Sequence, residues 1–221
     1  MLETIEINPR GTIDGSLIFL HGLGASGYDL ISLSNRPPLG ISTGLSLRFV
    51  FPHAPIRAIS CMGKQKMRGW FDIVNFNDDF VDDEEGIKDS DIAIQNLIDN
   101  EISQGIPTEK LILAGFSQGG VMALHSGLKC KHKLGGIISL SAWLALKDQF
   151  LITSSESNKN IPIFMAHGSY DDIVPIAWSR ESVSYLTALG YASQWMEYPM
   201  GHNICDRELM DLGKWIEFII T

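Results

Sequence analysis

The 221 residues carry a formal net charge of −9, and 45% of them are hydrophobic while 19% are charged. This composition is typical of a globular protein with a large core, and the length suits one α/β domain or two small ones. The acidic balance argues against a nucleic-acid partner, because such a partner requires a basic face.

The cysteines are few and widely spaced, at Cys61, Cys130 and Cys205. Because no C-x-x-C pattern occurs, the sequence suggests neither a zinc site nor a redox pair. Reduced thiols fit a reducing compartment. The first residues carry acid and no basic region, and no apolar run approaches the length of a membrane span. We therefore expect a cytoplasmic protein without a signal peptide.

Short apolar runs alternate with helical patterns along the whole chain. The predicted strands cover residues 2–7, 16–20, 47–51, 111–114, 135–141, 161–166 and 193–198. The predicted helices lie near 28–33, over 86–104, from the turn at 117 to about 128, and over 178–189 and 206–220. Residues 56–76 show no clean period, and the pattern over residues 145–160 indicates a polar loop in which some helix is possible. The alternation predicts an α/β fold with a mainly parallel central sheet and helices on both faces, and the absence of a linker predicts a single domain over 1–221.

An acidic run covers residues 77–85. Its spacing does not match that of a calcium-binding EF-hand loop. We interpret it as a solvated loop that leads into a helix, whose N-terminus favours negative charge.

The pattern G-x-S-x-G occurs at Gly115–Gly119, between an apolar strand and a run that can form a helix. A serine at such a sharp turn is held in a strained conformation with its hydroxyl projecting from the sheet, and the flanking glycines let strand and helix pass closely. An ordinary turn in which serine caps the helix is the alternative. The strand before Ser117 and the helix after it favour a nucleophile.

Three further chemical groups follow strands of the predicted sheet, where ligands of parallel sheets bind. A glycine-rich turn follows strand 16–20, two adjacent acids (Asp171 and Asp172) follow strand 161–166, and His202 follows the last strand. The order Ser, Asp, His predicts a triad in which Ser117 attacks, His202 moves the proton and one aspartate orients the imidazole. Spacing alone does not choose between the two aspartates. The backbone N–H groups of Leu23 and Gln118 are the expected oxyanion hole.

Seven ordered motifs give the chain a clear resemblance to a known family. The motifs are Leu20–Gly24, Phe51–Pro55, Trp70–Ile73, Gly115–Gly120, Leu140–Leu144, His167-Gly168 with Asp171 and Val174-Pro175, and Gly201-His202. From about residue 16 to the end, the chain resembles the acyl-protein thioesterase and small carboxylesterase family of α/β hydrolases. The resemblance implies the α/β-hydrolase fold and selects Asp171 as the triad acid. The family often has proline where this chain has Asp172.

The resemblance also implies an apolar groove for an acyl chain, covered by a loop that here spans 59–69. This loop mixes methionines with Lys64, Lys66 and Arg68, which suggests transient contact with a membrane surface or with the acylated substrate. An ordinary surface loop is the alternative. The residues expected to line the groove are Trp70, Ile73, Trp143, Ile173 and Val174.

The sequence thus predicts a serine hydrolase of acyl esters and thioesters that needs no metal or cofactor. Its expected substrate is an acylated protein or a lysophospholipid, and it is expected to be a monomer or a homodimer. One alternative is a lysophospholipase or general small-ester esterase without a protein substrate. Another is a catalytically inactive binding protein, which the retained serine, acid and histidine argue against.

Overall fold

The computed structural model describes residues 2–35, 44–75, 80–149 and 154–221. The strands are β1 (Thr4–Ile7), β2 (Gly15–Leu20), β3 (Leu47–Pro52), β4 (Ile56–Ile59), β5 (Gln65–Arg68), β6 (Leu111–Phe116), β7 (Gly136–Leu140), β8 (Ile163–Gly168) and β9 (Ser193–Tyr198). The α-helices are α1 (Gly27–Asn35), α2 (Glu84–Ser103), α3 (Gln118–Lys129), α4 (Ile176–Ala188) and α5 (Asp206–Ile220). Most predicted elements are therefore confirmed, with ends that shift by one or a few residues.

Seven strands form one twisted layer in the order β1-β3-β2-β6-β7-β8-β9. β1 pairs antiparallel with β3, and every other neighbouring pair in this sheet is parallel. The mainly parallel sheet is thus confirmed. β9 lies at one edge, where Glu197 forms a bidentate ion pair with Arg180.

The central strands are apolar because both of their faces are covered. All six residues of β2 are buried, and so are the first five of β6. One core cluster joins the sheet to α2 and α3, through residues such as Ile94 and Leu124. A second cluster joins the opposite face to α1 and α5, through residues such as Leu33 and Leu212. The predicted helices on both faces are confirmed.

Two segments differ from the sequence predictions. Residues 56–68, which show no period, form an antiparallel hairpin of β4 and β5 closed by a short 3₁₀ turn at Ser60–Met62. The acidic run is not a solvated loop throughout: Asp82 and Asp83 are half-buried, and Asp83 accepts a hydrogen bond from the N–H of Gly86 as the N-cap of α2. Residues 77–79 of that run lie outside the described residues.

The predicted polar loop at 145–160 contains two 3₁₀ turns, at Lys147–Gln149 and Glu156–Asn158, while residues 150–153 lie outside the described part. None of the helices in the described ranges is both long and apolar enough to cross a membrane.

Candidate active site

The turn between β6 and α3 places Ser117 in a backbone conformation that side chains rarely adopt. Its φ is +56° and its ψ is −125°. The turn tolerates no side chain at two flanking positions: a Cβ on Gly115 would lie 2.1 Å from the carbonyl oxygen of Gly119, and a Cβ on Gly119 would lie 2.2 Å from that of Leu20. The glycines are therefore required by the close passage of strand and helix, and the strained serine is held at the tip.

A continuous chain of hydrogen bonds runs from Ser117 to Asp171. The Oγ of Ser117 is 2.9 Å from Nε2 of His202, and Nδ1 of His202 is 2.7 Å from Oδ2 of Asp171. The ring of Phe116 lies against the imidazole, with the centroids 4.8 Å apart. Since a carboxylate only accepts, the proton of the imidazole is on Nδ1, and Nε2 faces the serine as an acceptor. The three residues that the sequence selects are thus brought together.

Asp171 and Asp172 have different surroundings, although they are adjacent. The carboxylate of Asp171 is fully buried and accepts hydrogen bonds from the N–H groups of Ile173 and Val174 as well as from His202. Burial acts to raise the pKa of Asp171, but these hydrogen bonds outweigh it and hold the pKa below its ordinary value. Asp172 is exposed and lines a cavity. The structure therefore pairs Asp171 with the histidine.

Two further histidines lie close to the site and are fully buried. His21 donates from Nδ1 to the carbonyl of Gly22 and accepts the N–H of Ala54 at Nε2, and burial lowers its pKa. His167 contacts Ser179 through Nδ1, and its Nε2 is 3.1 Å from Oδ2 of Asp171. His21 thus fixes the glycine-rich turn, whereas His167 supports the buried acid.

The glycine-rich turn after β2 passes directly beside the nucleophile. A Cβ on Gly22 would lie 3.3 Å from the Cβ of Ser117. Leu23 follows in this turn, and Gln118 is the first residue of α3, where backbone N–H groups have no partner within the helix. The side chain of Gln118 accepts from the N–H of Trp70 and donates to the carbonyl of Phe71, so it anchors that segment beside the turn.

A mostly apolar cavity of about 650 Å³ opens at Ser117 and His202. Of the residues expected to line an acyl groove, Ile73, Trp143 and Ile173 line it, and so does Leu23. The expectation is wrong for two others. Trp70 is fully buried, with its indole N–H on the carbonyl of His21, and Val174 is buried in the core. Both belong to family motifs, but their side chains pack in the core.

The sequence analysis missed several residues of the cavity wall. They are Ala25, Asp29, Leu30, Cys61, Met62 and Phe116. Cys61 and Met62 belong to the β4–β5 hairpin, whose strands show no regular alternation of apolar and polar residues. Leu30 lies on α1, where the helical pattern gives it the appearance of an ordinary core residue. Phe116 lies within the motif Gly115–Gly120 and Ala25 directly follows Leu20–Gly24, and these positions are the signals that pointed to the cavity.

Residues 4–220 match the family model described as phospholipase/carboxylesterase. The chain belongs to this family. Acyl-protein thioesterase 1 of Gibberella zeae is 40% identical over 213 residues, which cover 91% of this chain and 88% of that protein. Acyl-protein thioesterase 1 of Neurospora crassa is 39% identical over 206 residues, or 88% of this chain and 82% of the relative.

Solved structures of plant proteins show the same fold. Arabidopsis thaliana SOBER1 has a TM-score of 0.88 and 28% identity and covers 94% of this chain and 99% of its own. Zea mays acyl-protein thioesterase 2 has a TM-score of 0.86 and 27% identity, with both chains covered fully. The expected α/β-hydrolase fold is confirmed, and the chain is a hydrolase of the phospholipase/carboxylesterase family.

Proposed function

We propose that this hydrolase cleaves acyl esters and thioesters, with Ser117 as the nucleophile. The observation that carries the proposal is the unbroken hydrogen-bonded chain from Ser117 Oγ through His202 to Asp171, at 2.9 and 2.7 Å. Similarity to acyl-protein thioesterases supports the thioester part.

In this mechanism, Nε2 of His202 accepts the proton of Ser117 while Oγ attacks the acyl carbonyl carbon. Asp171, ionised because its pKa is lowered, stabilises the imidazolium that forms. The imidazolium then protonates the leaving alcohol or thiol, and the acyl group remains on Ser117. Water, deprotonated by the same histidine, releases the carboxylic acid and regenerates the serine.

The negative oxygen that develops on the carbonyl requires hydrogen-bond donors. We propose the N–H groups of Gln118 and Leu23, since α3 begins beside Ser117 and the turn of Gly22 lies against it. One donor of this kind contributes about 3 kcal/mol to lowering the barrier. The positive end of the α3 dipole adds to the same effect. No metal or cofactor takes part in these steps.

The acyl chain would occupy the apolar cavity beside Ser117. Its volume of about 650 Å³ and its walls of Ile73, Trp143 and Ile173 suit a flexible hydrocarbon. A protein carrying an acylated side chain and a lysophospholipid both present such a chain. They are our proposed substrate classes.

A chain-length series tests the proposal. Wild type and Ser117→Ala would be assayed on p-nitrophenyl esters and matching acyl thioesters with acyl chains of increasing length. We expect turnover of both series to rise towards medium or long chains and to be lost in Ser117→Ala, whose circular dichroism should stay that of wild type. Near-normal turnover by this variant would remove the proposal. Turnover of only the shortest esters would instead indicate a general small-ester esterase.

We further propose that the β4–β5 hairpin touches an anionic membrane surface. Lys64 and Lys66 are exposed on it, and so are 66% of Ile56 and 50% of Met62, while Met62 also lines the cavity. Exposed apolar residues at the base (Ile56) and the turn (Met62) of the hairpin, together with lysines, suit a surface that presents acyl chains and negative charge.

Sedimentation with phosphatidylserine vesicles tests this contact. Lys64→Glu/Lys66→Glu should lose binding, whereas Lys133→Glu/Lys214→Glu, with the same change of charge on other exposed positions, should keep it. Equal binding by both double variants would refute the contact.

The cysteines support our proposal of a cytoplasmic location. Cys61, Cys130 and Cys205 are all unpaired in the structure. Free thiols suit a compartment that keeps them reduced. Fractionation of the source cells should recover the protein with cytoplasmic markers, and recovery in an oxidising compartment would contradict this proposal.

A further inference from the structure

Trp143 forms the boundary between two cavities. It lies in the loop after β7 with only 5% of its surface exposed. On one side it lines the cavity at Ser117, and on the other it lines a second cavity of about 280 Å³ together with Phe80, Trp178 and Lys147. Trp143 is therefore shared by the linings of both cavities.

Aromatic rings pack around Trp143. Phe80 and Trp178 meet it edge to face, each with centroids 5.3 Å apart, and Phe71 does so at 6.3 Å. Edge-to-face contacts of this kind contribute about 0.5–1.5 kcal/mol each beyond the area that they bury. The directional contact is the hydrogen bond from the indole N–H to Oδ1 of Asp82, at 3.1 Å.

Both carboxylate oxygens of Asp82 accept hydrogen bonds. Its Oδ2 accepts the N–H of Leu146 at 2.7 Å, so that the carboxylate bridges two points of the loop after β7. Leu146 has a φ of +54°, an unfavourable conformation that this hydrogen bond helps to hold. The next residue along the chain, Asp83, is the N-cap of α2. Burial raises the pKa of Asp82, as expected for a carboxylate enclosed between these elements.

We propose that Asp82 is a positioning residue that holds Trp143 as the wall between the two cavities and thereby limits the length of acyl chain that the enzyme accepts. This inference rests on the proposed function. Asp82 touches no reacting group and acts on the cavity through the indole, while its other oxygen holds the N–H of Leu146 in the same loop. With its acceptor removed, the indole turns away from its place, and the cavity at Ser117 extends into the second space.

The measured quantity is the ratio of kcat/KM for a sixteen-carbon acyl thioester to that for an eight-carbon one. We expect this ratio to rise about 10-fold in Asp82→Ala, a change of the size that pocket shape produces for aliphatic groups. Asp82→Asn keeps one acceptor oxygen for the two N–H groups that Asp82 binds, so its ratio should lie between those of wild type and Asp82→Ala. Trp143→Phe removes the indole N–H, while the hydrogen bond from the N–H of Leu146 to Asp82 remains. It should raise the ratio as Asp82→Ala does.

The double variant Asp82→Ala/Trp143→Phe should show no further increase, because both changes act on one contact. Asp91→Ala is the matched control: Asp91 is also a buried aspartate, but it pairs with Lys129 and Gln95 away from both cavities. It should lower stability without moving the ratio.

An unchanged or lower ratio in Asp82→Ala, or an equal rise in Asp91→Ala, overturns the inference and leaves the proposed function intact. If Asp82→Ala does not fold, an unchanged ratio in Trp143→Phe overturns it in the same way. A wild type that hydrolyses no member of the series overturns the proposed function, and the inference with it.

Discussion

The elbow at Ser117 and the cavity wall at Trp143 both follow strands of the same sheet, but different forces fix them. Backbone sterics fix the elbow: Cβ atoms at Gly115 and Gly119 would lie within 2.2 Å of carbonyl oxygens. The wall is fixed by contacts between segments far apart in sequence, such as the hydrogen bond from Trp143 to Asp82. The elbow can therefore be recognised from five consecutive residues of the sequence. The residues of the wall come together only when the chain folds.

The largest expected effect separates the two adjacent aspartates. Asp171→Asn should lower kcat about 10⁴-fold, since an amide can donate to Nδ1 of His202 and so favour the wrong tautomer. Asp172→Asn should change kcat less than 3-fold, because Asp172 is exposed and the triad contacts belong to Asp171. Steady-state kinetics on a medium-chain ester measures both. A larger loss in Asp172→Asn than in Asp171→Asn would reverse the assignment.

The next effect tests the steric origin of the elbow. Gly119→Ala should reduce the free energy of unfolding by about 4 kcal/mol or more, since its Cβ would meet the carbonyl of Leu20 at 2.2 Å. Gly63→Ala, in the hairpin turn, has no atom within 4 Å of its Cβ and a φ of +62°, so it should cost only about 1 kcal/mol. Urea denaturation measures the loss in the free energy of unfolding of each variant. Equal losses would mean that the elbow is not sterically fixed.

The sequence predicts the elbow, the strands and the order of Ser117, Asp171 and His202 because each has a local cause. A buried parallel strand is continuously apolar, and a glycine is needed where backbones touch. The preference for Asp171 over Asp172 came from the family resemblance, and no spacing rule supplies it.

The wall could not be predicted in the same way. Trp70 and Trp143 are both buried aromatic residues within family motifs, yet one hydrogen-bonds to the carbonyl of His21 and the other faces the cavity. Only long-range packing separates them. Asp82 belongs to an acidic run that resembles a solvated loop until the position of Trp143 is known.

A buried carboxylate outside the candidate site should make the free energy of unfolding depend on pH. Burial raises the pKa of Glu208, in the first turn of α5, to about 8. The folded protein therefore holds a proton that the unfolded chain releases above about pH 4.5. The resulting stabilisation is complete below that pH and is lost progressively as the pH rises from about 4.5 through 8, with a total on the order of 5 kcal/mol.

Glu208→Gln should remove this slope from the free energy of unfolding between pH 5 and 9. Glu217→Gln, on an exposed position of the same helix, should preserve it. Chemical denaturation across this range measures the slopes. An undiminished slope in Glu208→Gln would show that another group carries the proton.

The smallest expected effect concerns Ile173, an exposed residue of the cavity wall. Ile173 lines the cavity and is 51% exposed, so Ile173→Ser removes little buried apolar area. It should lower kcat/KM for long-chain thioesters about 3-fold and leave the rate on the shortest esters unchanged. If kcat/KM for the shortest esters fell as much as that for the long-chain thioesters, Ile173 would support the triad and would not act as part of the cavity wall.

The most direct test of the central claim is to find which residue reacts as the nucleophile. Wild type would be treated with a fluorophosphonate, which reacts only with an activated serine, and the labelled peptide would be identified by mass spectrometry. We predict a single label on Ser117 that is absent in Ser117→Ala and strongly slowed in His202→Ala. A label on another residue, or an unlabelled wild type, would contradict the account.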